Sequence, residues 1–275
     1  MKRPTIALAF LLHVGVFLSV TDFIDEIILF TVSFAANLFA SVSGGGAGFV
    51  QFPLLILMGL PFAAALGTHK VAVVFLGLGA LTKKFTNKSA FALDKQITLI
   101  MLLFGCPAVV AGSLIIIAVP AQIAEVILGL ITIASGIYTL VKRQFGAQPL
   151  QQRSRTRVIL GTLAIILIGL FSGSLSSGAG LFSTLSLVLI FGLELKRAIL
   201  HTMVFVATLW NAVGAVTVGT VAEIYWPWVP LLIVATFTGS FVGTTLLIKL
   251  PVTIVRIIFS AVAILSGVTL IVAAF

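Results

Sequence analysis

Apolar residues run along this chain in long stretches separated by short polar patches. They fall at about 6–20, 27–43, 47–60, 62–81, 97–118, 121–141, 158–176, 180–193, 198–221, 227–248 and 252–274. Nearly all are long, without the period-two polar alternation of an outer-membrane strand, so they predict helices whose backbone groups are satisfied within each segment. Two are short: as helices, 47–60 and 180–193 reach only about 20 Å against a hydrocarbon core of roughly 30 Å, and both read as half-helices.

Composition removes the soluble alternative. Hydrophobic residues make up 60% of the 275 positions and charged ones 8%, against about 25% charged in an average soluble domain. With a mean hydropathy of +1.29, the expected fold is an all-α polytopic membrane protein. The single cysteine, Cys106, permits no internal disulfide and no cysteine metal site.

The net charge of +9 suggests nucleic acid only until the basic residues are placed. They cluster in the short breaks: Lys2 and Arg3; Lys83, Lys84, Lys88 and Lys95; Lys142, Arg143, Arg153, Arg155 and Arg157; Lys196 and Arg197; Lys249 and Arg256. The positive-inside rule puts these in the cytoplasm, with the N-terminus inside. Asp22, Asp25, Glu26, Glu125 and Glu223 mark the other side. Both lists are satisfied when 27–43 with 47–60 forms a hairpin from outside, and 158–176 with 180–193 forms one from the cytoplasm.

Internal similarity gives the same division. At a shift of 132 residues, Phe39, Gly46, Ala47, Gly48, Leu55 and Leu57 meet Phe171, Gly178, Ala179, Gly180, Leu187 and Leu189; after a one-residue gap, Gly59, Leu60 and Ala65 meet Gly192, Leu193 and Ala198. The expected organisation is an N-terminal hydrophobic helix and external loop (1–26), repeat 1 (27–141), a cytoplasmic basic linker (142–157) and repeat 2 (158–275). Each repeat is a half-helix hairpin plus three transmembrane helices, and the two have inverted topology, as in many secondary transporters. The first segment also resembles a secretory signal, but no A-x-A-like site closes its apolar run just before Asp22, which favours a retained helix.

Hairpins that turn inside the membrane bring helix N-termini near the midplane. Ser43-Gly44-Gly45-Gly46-Ala47-Gly48 precedes one half-helix and Ser174-Leu175-Ser176-Ser177-Gly178-Ala179-Gly180 the other. Glycine leaves N–H groups bare and a helix N-terminus carries partial positive charge, which suits an anion; packing of small residues is the competing reading. Lys70 lies inside segment 62–81, where a lysine costs roughly 2.5–3.5 kcal/mol on insertion scales and favours a protein cavity over lipid. His201 and Thr202 stand at the matching place in repeat 2. Thr208 and Asn211 follow on the same face of that helix. The candidate substrate-binding set is Gly46, Ala47, Gly48, Gln51, Thr68, His69, Lys70, Ser177, Gly178, Ala179, Gly180, His201, Thr202 and Asn211. Gly239 and Gly243 form a G-x-x-x-G spacing that reads as helix packing.

The same residues resemble a family. Gly44-Gly45-Gly46-Ala47-Gly48, Met58-Gly59-Leu60-Pro61 and Ala65-Leu66-Gly67-Thr68, echoed by Gly178-Ala179-Gly180, Phe191-Gly192-Leu193 and Ala198-Ile199-Leu200-His201-Thr202, are similar to the sulfite exporter TauE/SafE family, also called the four-toluene sulfonate uptake permease family. The resemblance covers roughly 27–274. It implies a bacterial inner-membrane transporter of sulfite, sulfoacetate, other organosulfonates or small carboxylates. Leu200 and His201 depart from the pattern's Gly-Thr.

The expected activity is secondary active transport of a small anion, outward, by alternating access around a midplane site, coupled to a proton or sodium gradient. An anion channel using the same half-helix pore is the alternative reading. No G-x-x-x-x-G-K-[ST] loop occurs, no cofactor or metal is implied, and the three histidines sit on different segments without a carboxylate nearby in sequence, so no enzyme is expected. Partners are the bilayer, the anion and a second copy in a homodimer, with no nucleic acid.

Overall fold

Apolar side chains around a backbone without water force every N–H and C=O to pair within its own segment, and the chain answers with helices. The computed structural model describes residues 20–84, 92–115, 121–142, 145–150, 152–174 and 178–273. The helix expected over 6–20 falls outside these except for its last residue, and Ser177 falls outside them entirely. The described helices are α1 (Val20–Ser43), α2 (Gln51–Leu57), α3 (Phe62–Leu81), α4 (Lys95–Leu114), α5 (Ala121–Val141), α6 (Arg155–Ser174), α7 (Ala179–Leu189), α8 (Leu195–Gly219), α9 (Val229–Lys249) and α10 (Val252–Ala273). Among the described residues seven helices are long and apolar enough to cross a membrane, while 47–57 and 179–189 form short apolar helices.

Three details differ from the hydropathy pattern. Helix α1 covers Val20–Ser43, so positions 22, 25 and 26, expected in an external loop, are helical. Helices α4 and α8 each contain a π-helical stretch, at Met101–Gly105 and Met203–Trp210. Such stretches loosen the backbone hydrogen-bond ladder, and side chains take up nearby carbonyls: Trp210 Nε1 donates to Met101 O (3.1 Å), Thr208 Oγ1 to Met203 O (3.2 Å) and Asn211 Nδ2 to Val206 O (2.8 Å).

The most extensive helix pairs are α5 with α10, α1 with α9, α3 with α9, α3 with α8, and α4 with α6. Small residues let backbones approach at these seams. A Cβ on Gly243 would lie 2.3 Å from the Leu38 carbonyl oxygen of α1, and one on Gly112 2.0 Å from that of Leu170 in α6. Gly239 meets Phe34 O in the same way, so the G-x-x-x-G spacing marks the α1–α9 seam. Helices α3 and α8 run antiparallel: Gly67 faces Val218, Lys70 faces Gly214 and Gly77 faces Met203. Their first turns therefore lie at opposite ends of the pair.

Candidate anion-binding cavity

The chain between α1 and α2 turns through Gly44, Gly45 and Gly46 at φ of +79°, +156° and +107°, and Gly178 opens α7 at φ +83°; only glycine adopts these values without strain. The two turns touch. A Cβ on Gly180 would lie 2.6 Å from Gly44 O and 2.8 Å from Gly45 Cα, and one on Gly45 would lie 2.5 Å from the Leu181 nitrogen. Thr184 Oγ1 donates to Gly44 O (3.3 Å) and lies 2.9 Å from Thr202 Oγ1, which donates to Ala198 O.

Against this junction sits a cavity of about 40 Å³ walled by both turns and by α1, α3, α6 and α8. Much of its lining comes in pairs 132 or 133 residues apart: Ala40 and Ser172, Gly46 and Gly178, Gly48 and Gly180, His69 and Thr202, Val73 and Val206. Ala47 and Asn211 line it too. A larger hollow of about 470 Å³ between α1 and α10 shares Gly46. Its other lining is aliphatic or aromatic apart from Thr31, Ser266 and Thr269, so it offers an anion little.

Five described candidates stand back from the cavity wall. Ala179 is buried beside it. Gln51 lies behind His69 and accepts from its ring, His69 Nδ1 to Gln51 Oε1 being 3.1 Å. Thr68 and His201, each one residue before a wall residue, are rotated about 100° away by the helical period and reach a loop instead. Thr68 Oγ1 accepts the Tyr225 N–H (2.9 Å), while His201 Nε2 accepts the Asp94 N–H (2.8 Å) and its Nδ1 donates to Arg197 O (2.7 Å). That fixes His201 as a neutral tautomer with both nitrogens engaged by backbone. Lys70 is wholly buried, its Nζ donating to Ser172 O and its stem packed against Gly214. Ser172 belongs to the last turn of α6, whose carbonyls lack helical partners and carry partial negative charge; Lys70 caps them from behind the wall.

Polar residues outside the candidate set complete the surroundings. Asn37 Nδ2 approaches Ser33 O (2.7 Å), Thr236 Oγ1 (3.2 Å) and Gln51 Oε1 (3.4 Å), joining α1, α2 and α9 behind His69. An amide within the apolar run 27–43 was the available signal for Asn37; nothing in sequence distinguishes Ser172 from any other small helical residue. Away from the cavity, Asp94 caps α4 through the N–H groups of Gln96 and Ile97 (both 3.1 Å) and pairs with Arg153 at 2.8 Å. Partial burial pushes its carboxyl up, but the Ile97 N–H, Arg153 and His201 together outweigh that and hold it below the ordinary 3.8.

The sequence pattern of the sulfite exporter TauE/SafE family matches residues 29–270. The chain belongs to this family. Among similar proteins, a probable membrane transporter protein, ORF9, of Sinorhizobium sp is 31% identical over 63% of this chain and 65% of its own length. A probable membrane transporter protein of Haemophilus influenzae is 29% identical over 64% and 68% of the two chains, and the probable membrane transporter protein YfcA of Escherichia coli K12 is 26% identical over 86% of each. No solved structure matches. Membership in the TauE/SafE family, together with the seven apolar helices, makes the chain a multi-pass membrane transporter and not an enzyme.

Proposed function

We propose that this transporter carries a small oxyanion of sulfur, or a comparably small organic anion, outward across a bacterial inner membrane by alternating access. In this reading the two five-helix copies are inverted repeats, with the N-terminus and the basic loops in the cytoplasm. The observation that carries it is the junction of two glycine-rich turns at one cavity, lined in pairs from the two copies, with Thr202, Asn211 and His69 on its wall and buried Lys70 one residue behind it. Hydroxyls and a nearby cation favour negative charge.

Size narrows the substrate. At about 10–15 Å³ per water position, 40 Å³ holds roughly three waters, close to the bulk of sulfite; larger sulfonates enter only when the turns part. The contact between the turns also favours a carrier that opens on alternate sides over a channel, which needs a continuous path. Purified protein in liposomes, offered radiolabelled sulfite, sulfoacetate, methanesulfonate and small dicarboxylates, tests the proposal. Saturable flux of at least one supports it. Flux that rises linearly with concentration speaks for a channel, and no flux of any of them rejects the anion assignment.

A further inference from the structure

The hydrogen-bond chain behind His69 decides which of its ring nitrogens carries the proton. Asn37 Nδ2 must donate to the Ser33 carbonyl at 2.7 Å, since a carbonyl only accepts. That orients the Asn37 amide and turns its N–H side toward Gln51. Gln51 then presents Oε1 to Asn37 and Nε2 to Thr236 Oγ1; the reverse orientation would set two NH2 groups against each other. With Gln51 Oε1 at 3.1 Å, His69 Nδ1 is the donor. A neutral imidazole has one N–H, so Nε2 keeps a bare lone pair. His69 is 1% exposed and lines the cavity, and among the described residues no protein group hydrogen-bonds its Nε2.

An oxyanion offers lone pairs too, and cannot bond to that nitrogen until the nitrogen carries a proton. The groups packed around His69 are Gln51 and the Phe52 ring of α2, Asn37 of α1 through Gln51, and Lys70 on its own helix; Thr202 and Asn211 of α8 share the cavity with it. Lys70 is the charged group acting on it among the described residues. Beside that lysine, an added proton and an added anion compensate each other. We propose that a monovalent anion is carried together with one proton held on His69 Nε2, so that the pair crosses without net charge. This rests on the reading of the cavity as an anion carrier site, and goes beyond it by naming the coupling ion and the group that holds it. Water in the open cavity delivers the proton to Nε2, the N–H donates to the anion, and both leave on the other side as Nε2 returns to a lone pair. Flow follows the combined anion and proton gradients and ignores the membrane potential; outward flow requires anion accumulated inside.

Methanesulfonate suits the test because it does not titrate near neutral pH. Full-length protein in liposomes containing a pH-sensitive dye is given radiolabelled methanesulfonate, with potential clamped by potassium and valinomycin. Wild type should take up one proton per anion, accumulate anion about tenfold per pH unit of inside-alkaline gradient, and show the same rate at either sign of the potential. His69→Gln keeps an amide donor near the Nε2 position, so methanesulfonate flux should continue but respond to potential and not to the pH gradient. Gln51→Leu, which frees the ring to hold its proton on Nε2 while neutral, should weaken the coupling in the same direction and carries the test if His69→Gln does not insert. Wild-type flux driven by potential and blind to the pH gradient would overturn the inference and leave the carrier site standing, as would wild-type coupling in a folded His69→Gln. Absence of saturable wild-type flux would remove both.

Discussion

Replacing Lys70 by methionine removes a charge while nearly conserving volume, and the surroundings allow the effects on folding and transport to be separated. On the folding side, Ser172 O loses its donor, and a buried unsatisfied carbonyl costs about 1–3 kcal/mol. Against that, a central lysine carries an insertion cost of roughly 2.5–3.5 kcal/mol that methionine does not. The two nearly cancel, so stability should change by no more than about 1 kcal/mol. On the transport side, Ser172 lines the cavity, so an anion there lies beyond one carbonyl from Nζ. For a separation of about 6 Å and an effective dielectric constant near 20, the attraction is about 3 kcal/mol, or roughly 100-fold in affinity. Thermal unfolding in detergent should therefore be almost unchanged, while KM for the transported anion rises by about that factor. Lys70→Arg keeps the charge, but the lysine stem packs so closely on Gly214 that a Cβ built there would lie only 3.1 Å from it, and the wider guanidinium fork should lower both stability and rate. A well-folded Lys70→Met protein with KM within about twofold of wild type would refute the electrostatic reasoning and leave Lys70 as the cap of α6 alone.

Other substitutions follow from the same contacts. Gly180→Ala places a methyl 2.6 Å from Gly44 O, forcing the turns about 0.8 Å apart; overpacking of this kind costs about 1–3 kcal/mol, and melting temperature and transport rate should fall together, whereas wild-type behaviour would show that the turns are not held in contact. Thr68→Val removes the acceptor of the Tyr225 N–H, so amide exchange at residue 225 should speed up for a loss of about 1 kcal/mol. Because the Asp94 carboxyl sits below its ordinary 3.8 in the folded protein, its stabilising effect is complete above that pH and is lost as pH falls through the lower folded value. Asp94→Asn should flatten the acid limb of a pH–stability curve, and an unchanged limb would count against the assignment.

The helical segments were legible because lipid enforces a simple rule: Phe62–Leu81 and Ala121–Val141 coincide with their apolar runs. The short helices were legible as well, since a segment between Gly48 and Pro61 is too brief to span. The cavity was legible where chemistry is carried by residue type, as with the two glycine turns, His69, Thr202 and Asn211. Rotation about a helix axis was not. Thr68 and His201 differ from their neighbours His69 and Thr202 by a single position, and hydropathy carries almost no moment along α3 because that helix is largely buried on all sides. Lys70 was recognisable as costly, but its acceptor is a backbone carbonyl 102 residues away, and carbonyls have no letter in a sequence. The π-helical stretches have the same origin: they answer to the close approach of Gly105 and Trp210, a tertiary contact.

The two loop attachments described above, Tyr225 to Thr68 and Asp94 to His201, occupy equivalent places at opposite ends of the α3–α8 pair. Their acceptors differ chemically. A hydroxyl oxygen accepts a backbone N–H at any physiological acidity, whereas an imidazole that gains a proton has no lone pair left to offer. If the two halves are inverted copies, as proposed, this exchange of threonine for histidine gives the frame a polarity. Acidification on the Asp94 side loosens a clasp; on the Tyr225 side it finds nothing to protonate in the clasp.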